Sequence, residues 1–209
     1  MNLSLLFPEL QQAIQKFPEL SPTIYQPNIM REQSVKTLRS AILHPAEKDK
    51  PLKLNFICTH NSRRSQIAQI WATVAAACYG KDELTAYSGG TEATALHPNV
   101  VHALQEIGFR VEQDGDHNPK YSIYFSEQYP PLICWSKVYD DPANLTDSFI
   151  AVMVCAEADV GCPFIPSARK RIPLRYKDPK YTDGTPDESA TYVRTALEIG
   201  AEIFSFFQE

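Results

Sequence analysis

One segment of the sequence joins a cysteine to an arginine at a spacing that suits oxyanion chemistry. Arg64 follows Cys58 by six positions and is itself followed by Ser65. The apolar stretch Leu52–Cys58 predicts a strand, and the Ala-rich stretch 65–79 predicts a helix. In a loop between a strand and a helix, successive backbone N–H groups converge into an anion-binding nest. The helix N-terminus adds positive potential to that nest.

The side chains of this loop have separate roles in such a nest. We predict that Cys58 is a thiolate nucleophile, because the positive field of the loop favours the ionised thiol. Arg64 can hold a tetrahedral oxyanion through two parallel hydrogen bonds, which a Lys cannot do. Ser65 is placed to donate to the thiolate, and Asn61 to brace the loop. A buried structural cysteine is the alternative, and the combination of strand, helix and serine disfavours it. The predicted oxyanion-binding loop also contains Thr59, His60, Ser62 and Arg63.

The elements that must hold this loop alternate between strand and helix along the chain. Apolar stretches predict further strands at 84–88, 149–155 and 172–174, and helical spacing predicts helices at 99–107 and 186–207. Strands that alternate with helices indicate a parallel sheet covered on both faces. The predicted fold class is therefore α/β, with a four-stranded parallel sheet and helices on both of its faces.

Two regions lie outside this alternation. Residues 1–50 predict a helical N-terminal extension, with a second helix over 28–43 and a polar linker at 44–51. The aromatic-rich stretch 121–139 predicts a β-hairpin inserted into a catalytic domain over 51–209. We expect the aromatic side chains of this hairpin to pack against the N-terminal extension.

Composition narrows the possible partners and the compartment. The chain of 209 residues has a formal net charge of -5 and a pI near 5.6. This acidic balance argues against nucleic acid and against an anionic membrane surface, so an anionic substrate needs a local positive site. No apolar run reaches the roughly 18 residues of a membrane span, and no signal peptide is evident. We expect a cytoplasmic protein, whose five cysteines are catalytic, redox-active or buried.

The segment ICTHNSRRSQIAQIW, residues 57–71, resembles the signature of low-molecular-weight protein tyrosine phosphatases and of the thioredoxin-linked arsenate reductases that share their fold. The resemblance covers about 52–209 and leaves residues 1–50 outside it. In this family an Asp-Pro pair after the last strand supplies a general acid, and Asp178-Pro179 matches it. A carboxyl group beside an anion site stays protonated more readily, which suits proton donation to a leaving oxygen. The alternative for Asp178 is a turn residue before proline.

A second part of the resemblance concerns two cysteines. Cys155 and Cys162 enclose six residues, AEADVG, as does the redox pair of the arsenate reductases, whereas phosphatases of this fold need no such pair. The resemblance implies that Cys58 attacks arsenate and that Cys155 then attacks Cys58 and expels arsenite. Cys162 finally closes a 155–162 disulfide, which thioredoxin or another thiol reduces. We expect the small, acidic spacer to rearrange at little packing cost.

Other readings of the cysteines are weaker. A zinc site is disfavoured because no further Cys or His cluster accompanies the pair, so we expect no metal and no bound cofactor. Two buried thiols are the remaining alternative for Cys155 and Cys162. Cys78 and Cys134 are expected to be structural.

Four residues depart from the family pattern. His60 stands where the family usually has Gly, and it either crowds the loop or contacts substrate. Arg63 replaces an uncharged residue, and we favour the interpretation that it faces solvent. Gln69 stands where many arsenate reductases have a Glu that helps to bind a potassium ion. Lys137 aligns with an Asp of that site, and we predict that its ammonium group replaces the ion.

The preferred function is a thioredoxin-linked arsenate reductase with an arsenate- or phosphate-like oxyanion as substrate. Two alternatives stay open. One is a phosphatase for phosphotyrosine or small phosphomonoesters that uses Cys58, Arg64 and Asp178 alone. The other is a non-catalytic module that binds oxyanions or senses redox state.

Overall fold

The computed structural model describes residues 1–20, 28–45, 50–144, 147–162 and 164–208. Half of the predicted linker 44–51, at 46–49, lies outside the described residues. No helix within these ranges has the length and apolar character needed to cross a membrane. The helices and strands are, in chain order, α1 (Pro8–Gln15), α2 (Ile29–Leu43), β1 (Leu52–Cys58), α3 (Arg64–Tyr79), β2 (Leu84–Gly90), α4 (Pro98–Ile107), β3 (Arg110–Asp114), β4 (Lys120–Tyr124), β5 (Leu132–Cys134), β6 (Phe149–Met153), α5 (Ala156–Gly161), β7 (Ala168–Pro173) and α6 (Glu188–Ser205).

The centre of the fold is a four-stranded sheet in the order β2-β1-β6-β7, with every pair parallel. The two central strands, β1 and β6, are buried almost throughout, as expected of parallel strands that are covered by helices. The register pairs Cys58 with Gly90 on one side of β1 and Ile57 with Met153 on the other. The fold-class prediction is confirmed, and Cys58 lies at the carboxyl end of a central strand.

Helix α3 fixes the far side of the predicted oxyanion loop. Fourteen of its sixteen residues are buried, because it packs against β1, β2 and α6. It ends at Gly80, whose φ of 62° is the left-handed conformation that favours glycine. Arg64 and Ser65 therefore start from a helix that cannot shift without disturbing the core.

The predicted hairpin is part of a larger antiparallel sheet. Strands β4 and β5 pair as expected, and Tyr121 lies opposite Cys134. A third strand, β3, precedes them and pairs with β4, so the hairpin prediction was too small. Strand β3 has the sequence RVEQD and is mostly exposed, so it lacks the alternation of apolar and polar residues that predicts a strand. Beyond β5 the chain returns to the main sheet, where Val138 bridges to Gly90.

The N-terminal residues join the same hydrophobic core as the sheet. Helix α1 packs on α4 and α6, and α2 packs on β7. The backbone N–H of Phe7 donates to the carbonyl of Phe125 at 3.1 Å, and the Arg110 guanidinium lies 3.9 Å from the Phe7 ring centroid. These contacts join the antiparallel sheet to the N-terminal extension. The domain boundary near residue 50 stays a prediction.

Candidate active site

The loop after β1 curls around the sulfur of Cys58. The backbone N–H of Asn61 donates to Cys58 Sγ at 3.2 Å, and Ser65 Oγ lies 3.1 Å from the same sulfur. The sulfur is thus in contact with a backbone donor and a hydroxyl group at the beginning of α3. A thiolate is stabilised by hydrogen bonds of this kind and by the positive end of the helix.

Asn61 fixes the direction of the Ser65 hydroxyl. Its side-chain oxygen accepts from the backbone N–H of Lys137 at 3.0 Å and from Gln66 Nε2 at 3.0 Å. Because the oxygen is thereby assigned, the amide nitrogen faces Ser65 and donates to Ser65 Oγ at 2.8 Å. The Ser65 hydroxyl hydrogen is then free to point at Cys58. Asn61 adopts a φ of 48°, a conformation that Asn tolerates better than most residues.

A glycine at the end of β2 makes room for this loop. A Cβ at Gly90 would lie 2.5 Å from the carbonyl oxygen of Thr59 and 2.8 Å from the backbone nitrogen of Asn61. The loop is further held through its carbonyl groups. Thr59 O accepts from Glu92 N at 3.0 Å, and Ser62 O accepts from His97 N at 3.0 Å.

Arg64 and Asp178 form a direct pair. Arg64 Nη2 donates to Asp178 Oδ2 at 2.7 Å, and Arg64 Nη1 donates to the carbonyl oxygen of Tyr176 at 2.9 Å. The other carboxylate oxygen of Asp178 accepts from Lys180 N at 3.1 Å, which caps the short 3-10 helix Pro179–Thr182. The structure therefore brings Asp178 to the loop of Cys58 and fixes the orientation of its carboxylate.

The prediction that Arg63 faces solvent is wrong. Its side chain is only 17% exposed, and its Nε donates to the Tyr192 hydroxyl at 2.8 Å. The Tyr192 hydroxyl in turn donates to Asp183 at 2.8 Å. Burial and the neighbouring Asp183 raise the pKa of Tyr192 to about 12. Arg63 thus connects the oxyanion loop to α6 and to the segment that carries Asp178, whose Oδ1 lies 3.9 Å from Arg63 Nε.

His60, within the loop, and His97, beside it, make no described contact with Cys58. His60 is half-exposed, and its Nε2 lies 2.8 Å from a carboxylate oxygen of Glu92. His97 stacks on the Tyr192 ring at 5.5 Å between centroids. Burial, with Arg63 as a second cause, lowers the pKa of His97. His60 therefore makes a surface contact with Glu92, and His97 packs beside α6.

Cys155 lies next to the oxyanion loop. Its side chain is fully buried, and its Sγ is 3.5 Å from the Thr59 hydroxyl and accepts from the N–H of Ala158 at 3.3 Å. Burial raises the pKa of the Cys155 thiol, the nearby Cys58 raises it further, and Thr59 and Ala158 oppose this. Two of the three cysteines of the predicted relay are therefore neighbours at the carboxyl ends of β1 and β6.

Cys162 lies at the opposite end of α5, half-buried. The expectation that the spacer between Cys155 and Cys162 rearranges at little cost is wrong. The spacer forms α5, and its Asp159 is buried and pairs with Arg171 and Arg175. No group of three or more His, Cys, Asp or Glu in the described ranges is arranged to hold a metal ion.

The structure brings Lys137 to the loop through its backbone. Lys137 N donates to Asn61, and Lys137 O accepts from Gly90 N at 2.8 Å. The Lys137 ammonium lies 4.4 Å from the Trp135 ring centroid, and the residue is 4% exposed. Burial lowers the pKa of Lys137. Gln69, the other residue that departs from the family's potassium site, is also buried.

The two cysteines without an assigned role are both buried. Burial raises the pKa of Cys78 to about 11 and that of Cys134 to about 12. Both thiols therefore stay protonated near neutral pH and are poor nucleophiles.

Several residues of the site could not be found from the sequence. Gln66 donates to Asn61 and to the carbonyl of Trp135, and Tyr176 supplies a carbonyl to Arg64. Tyr192 and Asp183 complete the contacts of Arg63. Gln66 lies inside the segment 57–71 but no role was assigned to it, Tyr176 acts through its carbonyl group, and Tyr192 and Asp183 are more than a hundred positions from Arg63.

No family model matches the chain. Arsenate reductases of Halalkalibacterium halodurans and Bacillus subtilis are each 34% identical over 152 residues, which are 72% of this chain and 91% of the relative. Among solved structures, a low-molecular-weight phosphotyrosine phosphatase of Vibrio cholerae O395 matches with a TM-score of 0.50 and 17% identity. That match covers 73% of this chain and 92% of the phosphatase and concerns the fold.

Proposed function

Because the chain belongs to the arsenate reductase family, whose fold is that of the low-molecular-weight phosphatases, we propose that it reduces arsenate by a relay of Cys58, Cys155 and Cys162. The chain is an enzyme of this family, so the alternative of a non-catalytic module is set aside. The observation that carries the relay is the contact between Thr59, in the loop of Cys58, and the buried sulfur of Cys155 at 3.5 Å.

In the first step the Cys58 thiolate attacks arsenic and a sulfur–arsenic bond forms. The backbone N–H groups of the loop and the Arg64 guanidinium neutralise the oxyanion. Asp178 acts as the general acid and gives a proton to the leaving hydroxyl group of arsenate, which departs as water. The Arg64 guanidinium donates to Asp178 Oδ2 at 2.7 Å, and this pair supports the proposed division of labour because it holds the acid beside the oxyanion loop.

In the second step the Cys155 thiolate attacks Cys58. The sulfur–arsenic bond breaks, its electron pair stays on arsenic, and arsenite leaves as arsenic(III). The two sulfurs are oxidised to a disulfide, so the two electrons gained by arsenic come from Cys58 and Cys155. The Cys155 sulfur lies against the Thr59 hydroxyl, in the loop that holds Cys58, and this position suits the attack.

In the third step Cys162 attacks Cys155 and Cys58 leaves as a thiolate. The 155–162 disulfide must then be reduced by an external dithiol, and we propose thioredoxin or a protein of the same chemistry. The exposed apolar side chains Val160 and Phe164 flank the half-buried Cys162. An apolar surface around a disulfide suits docking of a dithiol protein.

Arsenate-dependent oxidation of NADPH through thioredoxin reductase and thioredoxin tests the relay. The protein should support turnover, and Cys155→Ser should abolish it. Cys78→Ser is the matched control, since it removes a buried thiol outside the relay and should leave turnover unchanged. Hydrolysis of an aryl phosphate is measured in parallel. Full activity of Cys155→Ser, or hydrolysis without arsenate reduction, would instead support a phosphatase that uses Cys58, Arg64 and Asp178.

We also propose that the Lys137 ammonium stands in for a potassium ion beside the loop. Lys137 contacts the loop through its backbone and carries a buried ammonium over the Trp135 ring, which repels a second cation nearby, so the residues present do not fit a bound potassium ion. Turnover should be the same in potassium and in choline salts. Lys137→Ala should lose activity, whereas the exposed Lys16→Ala should not. A strong rise of wild-type activity with potassium would rule out this role.

A further inference from the structure

The length of α5 conflicts with the disulfide that the proposed relay requires. Cys155 caps the N-terminus of α5 and Cys162 follows its last turn, so both belong to one wound helix. Hydrogen bonds from Asp159 N to Cys155 O and from Cys162 N to Ala158 O hold the two turns. Seven residues of helix separate the two Cα atoms by about 10 Å. A disulfide needs Cα atoms within about 7 Å. Helix α5 must therefore unwind before Cys162 reaches Cys155.

Unwinding is opposed by a cluster of charged side chains at the end of α5. Asp159 is the centre of this cluster, and its side chain is only 4% exposed. Arg171 donates to the carboxylate and to the carbonyl oxygen of Asp159, and its Nε donates to the carbonyl oxygen of Cys162 at 3.0 Å. Arg175 Nε donates to the second carboxylate oxygen of Asp159 at 2.5 Å. Both arginines come from β7 or the residues just after it.

These contacts close the C-terminal end of the helix. The carbonyl groups of Asp159 and Cys162 have no amide partner within a helix that ends at Gly161, and Arg171 satisfies both. Once α5 unwinds, both carbonyls and the buried carboxylate lose these donors together. Two charge-assisted hydrogen bonds to one carboxylate make this loss much larger than the loss of a surface ion pair.

We propose that Asp159, held by Arg171 and Arg175, is a latch that keeps α5 wound and sets the rate at which Cys162 closes on Cys155. The proposal rests on the relay described above. Asp159 is a positioning residue, because it acts on the cysteines through the helix that separates them. The latch favours attack of Cys155 on Cys58 over premature formation of the 155–162 disulfide.

Closure of the 155–162 disulfide is a thiol–disulfide exchange in which atoms and electrons balance without any bound group. Starting from the 58–155 disulfide, the Cys162 thiolate attacks Cys155 Sγ, the 155–162 bond forms, and the 58–155 bond breaks as Cys58 leaves as a thiolate. The same disulfide can be made without arsenate by diamide, a diazene that takes two electrons and two protons from the two thiols. Oxidation by diamide therefore tests the unwinding of α5 without the arsenate reaction.

The experiment follows diamide-driven closure of the 155–162 disulfide in the full-length Cys58→Ser variant. Samples are quenched with an alkylating reagent and the disulfide is quantified by peptide mass spectrometry. Asp159→Asn should close roughly tenfold faster, as expected when charge-assisted hydrogen bonds are lost. Asp147→Asn is the matched control, because it makes the same change at an exposed ion pair with Lys53, and it should not alter the rate.

A variant that slows closure is included, because faster closure alone could result from unfolding of the protein. A Cβ at Gly161 meets no atom within 4 Å, so Gly161→Ala adds helix propensity without a clash. It should slow closure about threefold. If Asp159→Asn does not fold, Arg175→Gln, at a half-exposed side chain, replaces it and should also speed closure.

The outcomes separate this proposal from the relay. The rate of global unfolding is measured in urea for each variant. It must stay below the rate at which the 155–162 disulfide closes in the same variant. Equal closure rates for Asp159→Asn, Gly161→Ala and the control would overturn the latch, even if arsenate turnover is normal. Loss of arsenate turnover with the expected shifts in closure would overturn the proposed function and leave the latch standing.

Discussion

At the scale of single residues, the strongest feature is the chain of hydrogen bonds that orients the Ser65 hydroxyl toward Cys58. The Lys137 N–H donates to the Asn61 side-chain oxygen, and the Asn61 amide nitrogen donates to Ser65 Oγ. The Ser65 hydroxyl in turn lies against the Cys58 sulfur. Each step depends on the one before, so a hydroxyl that rotates freely in solution has one direction here. The sulfur thereby gains a fixed donor.

The first prediction follows from that donor. Ser65→Ala should slow the attack of Cys58 by roughly tenfold, because a hydrogen bond to a charged group is lost. The rate of a single turnover with arsenate measures it. Thr73→Val on the same helix is the control, since Thr73 bonds only the carbonyl of Gln69 in the described contacts, and its rate should equal that of the wild type. An unchanged rate for Ser65→Ala would remove the hydroxyl from the mechanism.

A second prediction concerns Cys58 itself. Cys58→Ser should abolish turnover and still bind arsenate or phosphate, because the loop and Arg64 make the oxyanion contacts. Isothermal titration with phosphate measures the binding and the coupled assay measures the turnover. Retained turnover would contradict the nucleophile role.

A third prediction is the pH dependence of the second step. Burial raises the pKa of Cys155, so its thiolate is scarce at neutral pH and becomes more abundant as the pH rises toward that pKa. The rate of 58–155 disulfide formation should therefore rise with pH between 7 and 9, by up to about tenfold per unit. Quenched-flow alkylation measures it. A rate that is flat over this range would mean that another step limits the relay.

The spacing of the sequence predicted the residues that share one loop, and the family resemblance added Asp178 and Cys155, but neither indicated Tyr192 or Asp183. Cys58, Arg64 and Ser65 meet because a strand end and a helix start bring them together, which spacing alone indicates. Arg63 and Tyr192 are separated by 129 positions, and only the packing of α6 brings them into contact. The solvent-facing interpretation of Arg63 failed for that reason.

At the scale of elements, the end of β2 sets the space that the oxyanion loop occupies. A methyl group at Gly90 would overlap the backbone of Thr59 and Asn61. Gly90→Ala should cost about 1 to 3 kcal/mol of unfolding free energy, as overpacking does, and should also lower activity. Urea unfolding measures the first effect. Gly161→Ala, where a methyl group meets nothing, should leave stability nearly unchanged; equal stability of the two variants would contradict the steric argument.

Elements with a clear periodicity were predictable, and the others were not. Strand β6 is apolar throughout, β1 is apolar at five of its seven positions, and α3 is a long Ala-rich run, so their types follow from composition. Strand β3 is polar because one edge of the antiparallel sheet is exposed. Helix α5 has six residues, too few for a helical period, and is held by arginines that follow it in sequence.

At the scale of the whole molecule, the N-terminal residues contribute to the core of the catalytic part. The Phe17 ring makes edge-to-face contacts with Trp71 at 5.4 Å and with Phe204 at 5.3 Å between centroids. Arg31 of α2 donates to the carbonyl of Arg175 at 2.8 Å and pairs with Glu202 of α6. The resemblance to a known family begins at about residue 52, so no motif indicated which surface these N-terminal residues would cover.

The last prediction tests that packing. Phe17→Ala should lower the unfolding free energy by about 3 kcal/mol, because a large buried aromatic ring is lost. Urea unfolding followed by far-UV circular dichroism measures it, and intrinsic fluorescence should give the same midpoint. Phe164→Ala, at a ring that is 78% exposed, should change stability little. Separate transitions for the two signals would mean that the N-terminal part unfolds on its own.

The separation of Cys155 and Cys162 by a wound helix has a consequence for product inhibition. Arsenic(III) is a soft acceptor that is chelated tightly by two thiolates whose sulfurs are close together. A protein that releases arsenite beside a ready-made dithiol would recapture its own product. With Cys155 buried at one end of α5 and Cys162 at the other, these two thiols cannot chelate arsenite together while the helix is wound, and we expect the product to escape this pair.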